Sequence, residues 1–166
     1  MTLEVRALAA PDLEALHRDL PSWSSANYPS RLEAQALGEL VQVFAWDADL
    51  PVGRGMARFA GLEERSESAI REGCAEVRDV FVTSSHRRRG AATAIMSALE
   101  DASRGAGWRR IGLSVSLDDE AAPARALYTR LGYRHAHGPY VTSATLDTDD
   151  GPLHVHAIMV YLVKEL

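Results

Sequence analysis

Residues 75–102 read AEVRDVFVTSSHRRRGAATAIMSALEDA, and this stretch decides the fold. Its first part, Ala75 to Thr83 with the apolar run Val80-Phe81-Val82, predicts a strand. Then the period changes. Ala91, Ile95, Ala98, Leu99 and Ala102 recur at helical spacing, and Gly105 and Gly107 end the helix. Between strand and helix sits His86-Arg87-Arg88-Arg89-Gly90-Ala91-Ala92, the densest local charge in the chain. A helix N-terminus carries unpaired backbone N–H groups and roughly half a positive charge. Three arginines beside it, with glycine and alanine to let an anion approach the backbone, make a pyrophosphate cradle. The competing reading is a solvated basic helix start. Other phosphate motifs fail: there is no G-x-x-x-x-G-K-[ST] loop, and Gly53-Arg54-Gly55 lies in a hairpin strand without the third glycine of G-x-G-x-x-G.

The placement is informative because the chain as a whole is acidic. Its 166 residues carry 18 Lys plus Arg against 23 Asp plus Glu, a net charge of −5, which argues against a general nucleic-acid surface. The length predicts one domain over residues 1–166 with a real core. A single cysteine, Cys74, excludes an intramolecular disulfide framework and a multi-cysteine zinc site. The N-terminus lacks a signal-peptide pattern, and no apolar run is long enough to cross a membrane, so a cytoplasmic protein without a membrane partner is expected.

Working outward, Thr2 to Leu8 predicts a strand, and Pro11-Asp12 opens a helix carrying Leu13, Leu16 and Leu20. A polar loop spans Pro21 to Ser30, and a second helix is expected over Arg31 to Leu40. A hairpin follows, with strands Val41–Trp46 and Val52–Phe59 about a turn at Asp47 to Pro51. The charged segment Gly61 to Gly73 is expected to loop out. After the central strand and helix come a strand at Ile111–Leu117, a helix at Ala124–Leu131 stopped by Gly132, and two or three strands from Tyr133 to Leu166 with a turn at Asp149 to Gly151. The order β-α-α-β-β-β-α-β-α-β-β predicts an α/β domain with a mixed sheet.

Two motifs resemble those of the GNAT family of N-acetyltransferases. The acyl-CoA signature [QR]-x-x-G-x-[GA] is matched by Arg87-x-x-Gly90-x-Ala92. Downstream, A-x-x-L-Y-x-x-x-G-[FY] is matched by Ala124-x-x-Leu127-Tyr128-x-x-x-Gly132-Tyr133. The resemblance covers Glu76 to Tyr133 and implies a mixed, mostly antiparallel central sheet of six to seven strands flanked by about four helices. It also implies acetyl-CoA as acyl donor and no metal. By the same resemblance a β-bulge in the Ala75–Thr83 strand frees backbone groups of Val80, Phe81 and Val82 for the pantetheine arm. The parity fits such a disturbance, since Val77 and Phe81 share one face while Val80 and Val82 share the other. The Val82 N–H is then placed to polarise the acetyl carbonyl. Arg87, Arg88, Arg89, Gly90, Ala91, Ala92 and Thr93 are expected at the pyrophosphate, with Arg125 reaching a CoA phosphate.

Acetyl transfer to an amine needs a neutral nucleophile, and an alkyl ammonium has a pKa of about 10.4. A carboxylate must therefore take a proton, and Glu76 and Asp79 are the candidates. The alternative for each is a salt bridge with Arg78 or Arg54. Tyr128 matches the family's proton donor to the departing thiolate, against a plain core role. Cys74 has no activating histidine beside it in sequence and reads as an idle thiol. The pairs His135/His137 and His154/His156 fit a substrate pocket or the surface better than a metal. Trp23, Tyr28 and Tyr140, with Asp147, Asp149 and Asp150, are expected to line an acceptor groove for a small cationic amine, aminoglycoside-like or polyamine-like. Their alternative is a hydrophobic plug and an acidic turn. The function expected is acetyl transfer to a primary amine of a small molecule by direct attack in a ternary complex. Against it stand a non-catalytic acyl-CoA sensor on the same fold and, more weakly, a nucleic-acid binder using Arg87 to Arg89. A homodimer through the last strands would cover a sheet edge.

Overall fold

The computed structural model describes residues 3–20, 27–59, 73–148 and 151–166, with the backbone alone at 144–148 and 151–152. Seven strands form one sheet: β1 (Leu3–Ala7), β2 (Leu40–Asp47), β3 (Leu50–Arg58), β4 (Ala75–Val82), β5 (Arg110–Ser116), β6 (Arg134–Thr148) and β7 (Gly151–Glu165), in the order β1-β2-β3-β4-β5-β7-β6. Every neighbouring pair is antiparallel except β4 with β5. The one parallel pair exists because a helix connects its strands, whereas β2 and β3 are joined through Ala48 and Asp49, with Ala48 at φ 53. Four helices are described: α1 (Leu13–Asp19), α2 (Tyr28–Ala36), α3 (Ala91–Gly105) and α4 (Ala122–Arg130). The mixed, mostly antiparallel sheet and four helices match the expected class.

The helices cover the two faces through the alternation of the strands. On one face Val43, Ala57, Val77, Ile111 and Leu113 meet Ile95, Met96 and Leu99 of α3 and Tyr128 of α4. On the other, Phe44 and Trp46 of β2 meet Leu16 and Leu20 around α1, Tyr28 of α2 and Leu8. The second helix departs from expectation. It begins at Tyr28, because Pro29 is tolerated in a first turn where no N–H partner is required, and it ends at Ala36 before Gly38 at φ 74. Leu40 thus belongs to β2. The last segment is one long hairpin of two strands. The expected loop at residues 61–73 lies, apart from Gly73, outside the described residues, as does most of the polar loop before α2.

Gly53 and Gly55, which carry no phosphate motif, have a packing role. A Cβ on Gly55 would stand 2.6 Å from Ile95 Cγ2 and 3.1 Å from Leu99 Cδ1; one on Gly53 would stand 2.8 Å from the Phe81 carbonyl oxygen. Absence of side chains on β3 lets α3 lie directly against the sheet, and this sets where the α3 N-terminus emerges beside β4. A second tie closes the far end of α3. Tyr133 Oη donates to Glu100 Oε1 at 3.1 Å, and Lys164 Nζ donates to Glu100 Oε2 at 2.7 Å. Burial and the Glu100 charge both push the Tyr133 phenol up, so it stays a donor.

Gly55→Ala is expected to overpack this contact by about 1–3 kcal/mol and lower Tm by roughly 2–10 °C in a thermal melt. A shift within about a degree would show that α3 does not press on β3 at this residue.

Candidate active site

The site begins with one extra residue. Met56 stands opposite Arg78 and Arg54 opposite Phe81, so two steps along β3 match three along β4. The surplus is taken up as a bulge in which Asp79 adopts φ 55. Aspartate enters the left-handed region more readily than most side chains, though still at a cost. What holds it there is a pair of guanidinium groups: Arg31 Nη1 and Arg54 Nε each lie 3.0 Å from Asp79 Oδ2. Arg31 also donates to Gln42 Oε1 at 2.7 Å, and Gln42 Nε2 donates to the Gly55 carbonyl at 2.9 Å. The bulge is thereby tied to α2, β2 and β3 together. Arg54 is 3 % exposed and further confined under the Phe81 ring, 4.8 Å from its centroid.

Downstream of the bulge the sheet opens. β4 pairs with β5 only through Ala75, Val77 and the residue between them, opposite Ile111 to Leu113, although the strands run on to Val82 and Ser116. The C-terminal parts of two parallel strands therefore splay. Thr83 donates its N–H to Val52 on the β3 side, while the Val82 carbonyl accepts from Arg87 Nε at 3.1 Å. Since a strand residue directs its N–H and C=O to the same edge, the Val82 N–H faces the gap. Phe81, opposite Arg54, is turned toward β3.

The gap leads to the arginine loop. Arg88 at φ 60 and Gly90 at φ 88 turn the chain into α3, whose first internal bond runs from Ala94 N to Gly90 O. The N–H groups of Ala91, Ala92 and Thr93 consequently have no partner within the helix. A side chain on Gly90 would meet nothing within 4 Å, so glycine is required there for its backbone angle and not for space. Arg87, Arg88, Arg89, Gly90 and Thr93 are all exposed. His86 anchors the loop: its Nδ1 bonds Thr83 Oγ1 at 3.0 Å and Ser85 Oγ at 2.9 Å, and its Nε2 lies 3.7 Å from Asp47.

On the α2 side of the sheet, a cavity of ≈ 280 Å³ opens beside the gap, and its walls include Glu76, Arg78, Asp79, Ser114 and Tyr140. Glu76 is buried, with Oε2 3.1 Å from Arg78 Nε. Ser114 Oγ and Tyr140 Oη are 2.6 Å apart, which fixes the phenol of β6 at the wall. Tyr128 stands on the opposite face, edge-on to Tyr133 with centroids 6.0 Å apart, and does not line this cavity. Burial pushes its phenol up to about 12.

A family model of acetyltransferases (GNAT) matches residues 3–133. The chain belongs to the GNAT family. Solved structures share its fold. A ribosomal-protein-S18-alanine N-acetyltransferase from Escherichia coli superposes with TM-score 0.67 at 16% identity, covering 99% of this chain and 94% of that one. An N-acetyltransferase from Thermoplasma acidophilum, in complex with coenzyme A, gives 0.66 at 14% identity over 100% of both chains. A GNAT family acetyltransferase from Elizabethkingia anophelis with acetyl-CoA bound gives 0.61 at 12% identity over 99% and 98%. No curated protein matches the chain by sequence.

Within this GNAT chain, several sequence expectations are corrected by geometry. Tyr28 is fully buried, packed edge-on against Phe44 with centroids 5.3 Å apart, and lines no groove. Arg125 Nη1 donates to the carbonyls of Ser116 at 2.6 Å and Asp118 at 2.8 Å, bracing the β5–α4 connection instead of reaching toward the arginine loop. Asp79 is engaged by two cations and braces the bulge, so it is poorly placed as a base. Trp23, Asp149, Asp150 and the side chain of Asp147 lie outside the described residues. Burial pushes the Cys74 thiol up, away from a reactive thiolate. His137 stacks on Tyr140, centroids 5.7 Å apart. No group of three His, Cys, Asp or Glu residues suited to a metal occurs among the described residues. The salt-bridge alternative named for the two carboxylates is formed, by Arg54 with Asp79 and by Arg78 with Glu76, whereas Arg31 and Ser114 were missed. An arginine inside the small and apolar run Val52 to Ala57 was a visible signal for a buried partner; Arg31, 48 positions from Asp79, left none.

Asp79→Ala leaves the buried Arg54 guanidinium without its ion pair. Unfolding free energy in urea is expected to fall by about 3–5 kcal/mol. A loss below about 1 kcal/mol would mean that Asp79 contributes no more than a surface pair.

Proposed function

We propose that this GNAT chain transfers acetyl from acetyl-CoA to a primary amine of a small molecule, by direct attack in a ternary complex. The observation that carries the reading is the gap between β4 and β5, open from the Asp79 bulge to the N-terminus of α3. A pantetheine arm is a chain of amides that needs backbone partners along an open strand edge, and a pyrophosphate needs N–H donors and cations. The edge from Val80 to Val82 and the loop from Arg87 to Thr93 supply both in sequence. Arg87, Arg88 and Arg89 hold phosphate charge, while Gly90, Ala91, Ala92 and Thr93 offer backbone N–H groups.

The Val82 N–H donates to the acetyl oxygen as negative charge builds on it. The amine nitrogen forms the new C–N bond as the C–S bond breaks, and its surplus proton passes to Glu76, directly or through one water. Glu76 is a buried carboxylate in the cavity wall, whereas Asp79 is held at the bulge by two guanidiniums. Tyr128, kept protonated by burial, donates to the departing thiolate. The phenolate is the form that desolvation disfavours, so Tyr128 adds no descending limb to the pH–rate profile until well above pH 10. Tyr140 orients the acceptor. Of the residues on which polyamine-like and aminoglycoside-like acceptors were expected, Tyr28 is in the core and Tyr140 lines the cavity, while the acids Asp147, Asp149 and Asp150 lie, in their side chains, outside the described residues. A protein α-amine is the competing acceptor, suggested by the ribosomal-protein enzyme of the same fold.

Calorimetric titration with acetyl-CoA, followed by thiol release over pooled amines, tests the reading. Micromolar binding that weakens at least tenfold in Arg87→Ala/Arg89→Ala, with turnover reduced about 10²–10⁴-fold in Glu76→Gln, is the expected result. Absence of binding overturns the donor assignment. Binding without thiol release from any small amine or peptide would mark an acyl-CoA sensor.

A further inference from the structure

A second cavity, of ≈ 210 Å³, is lined by Arg31, Ala34, Glu39, Leu40, Met56 and Arg58. It adjoins the first. Met56 and Arg58 stand directly across the β3–β4 ladder from Arg78 and Glu76, which line the first cavity, and residues opposed in this way project from the same face. The two cavities thus open on the same face of the sheet and together form a strip running from α2 to Tyr140. Its charge runs against that of the molecule. Among the described residues, Arg31, Arg54, Arg58 and Arg78 meet three carboxylates, Glu39, Glu76 and Asp79, leaving one net positive charge in a chain of net −5.

The cations are not equally satisfied. Arg31 and Arg54 share one oxygen of Asp79, and Arg78 is paired with Glu76. Arg58 has no ion-pair partner among the described residues, although it is half-buried and faces a cavity. Glu39, the acid in the same lining, is solvent-exposed. A half-buried guanidinium held against a cavity wall offers planar, bidentate recognition of a carboxylate.

We propose that Arg58 selects the acceptor, and that the acceptor amine carries a carboxylate. This rests on the transfer reading above. With the amine at Glu76, the carboxylate lies in the second cavity against Arg58, with Arg31 adding charge. One to two strand spacings separate the two ends, roughly 5–10 Å, which an ω-amino acid or a short amino-acid conjugate spans.

The test compares 6-aminohexanoate with its uncharged amide, 6-aminohexanamide, and with hexylamine as acceptors for acetyl-CoA, in wild type, Arg58→Gln and Arg58→Lys. The expected result is a kcat/KM about tenfold or more higher for the carboxylate than for the amide in wild type, the order of one charge-assisted hydrogen bond. That ratio should collapse toward one in Arg58→Gln and largely persist in Arg58→Lys. A wild-type ratio at or below one, or the same ratio in Arg58→Gln, overturns the selection by Arg58. Turnover of hexylamine alone would sink this proposal and leave acetyl transfer standing. If none of the three amines is turned over, calorimetry on the CoA-loaded protein decides: 6-aminohexanoate binding lost in Arg58→Gln supports the site, and equal binding of acid and amide overturns it. Failure to bind acetyl-CoA at all is a failure of the transfer reading.

Discussion

One carboxylate, shared between two guanidiniums, shapes the centre of this molecule. Asp79 occupies a left-handed conformation that costs free energy, and a strand without it would run on beside β5. Arg54 from β3 and Arg31 from α2 both bind its Oδ2 at 3.0 Å, so the strained residue is over-determined by its surroundings. The dependence is mutual. Arg54 is buried and would be costly to desolvate without Asp79, and Asp79 would relax without the arginines. The consequence is a sheet whose middle strands part, leaving an edge of unpaired backbone inside an otherwise closed structure.

The rest of the site follows from that opening. Gly53 and Gly55 bring α3 against β3, so the helix begins where the parted edge ends, and its unbonded N–H groups continue the row of donors supplied by the strand. The arginine loop adds charge at the same end. On the α2 face, Glu76 and Arg78 stand just before the bulge and line a cavity, while Tyr128 packs on the other face. Under the proposed transfer, donor and acceptor would approach the gap from opposite sides of one sheet, the geometry that direct attack in a ternary complex requires.

Much of this was legible in the sequence, because the informative features are local. The change of period at Gly90, the arginines at a helix start and the pair Leu127-Tyr128 before Gly132-Tyr133 are each read within ten residues. The bulge in this strand was expected from the family resemblance, and the parity across Val77 to Val82 only agreed with it. What the chain does not display is pairing over distance. For Asp79 the Arg54 pair was readable as an alternative to a base, but its second partner, Arg31 on α2, was not, and Arg125 likewise has carbonyl partners that become visible only once the β5–α4 connection folds back. Tyr28 sits in a polar stretch, yet α2 starts early enough to carry its ring into the core beside Phe44. Glycines at positions 53 and 55 resembled a failed phosphate loop, and their actual requirement is room for Ile95 and Leu99.

Hydrogen exchange of individual backbone amides, with and without saturating acetyl-CoA, addresses the central claim most directly. If the parted edge holds the donor, Val80 and Val82 gain protection on binding, together with Ala91, Ala92 and Thr93 at the start of α3, while the β6–β7 amides change little. Saturable binding that leaves the Val80 and Val82 amides exchanging as before would contradict it, because the donor would then lie somewhere other than the gap that Asp79 holds open.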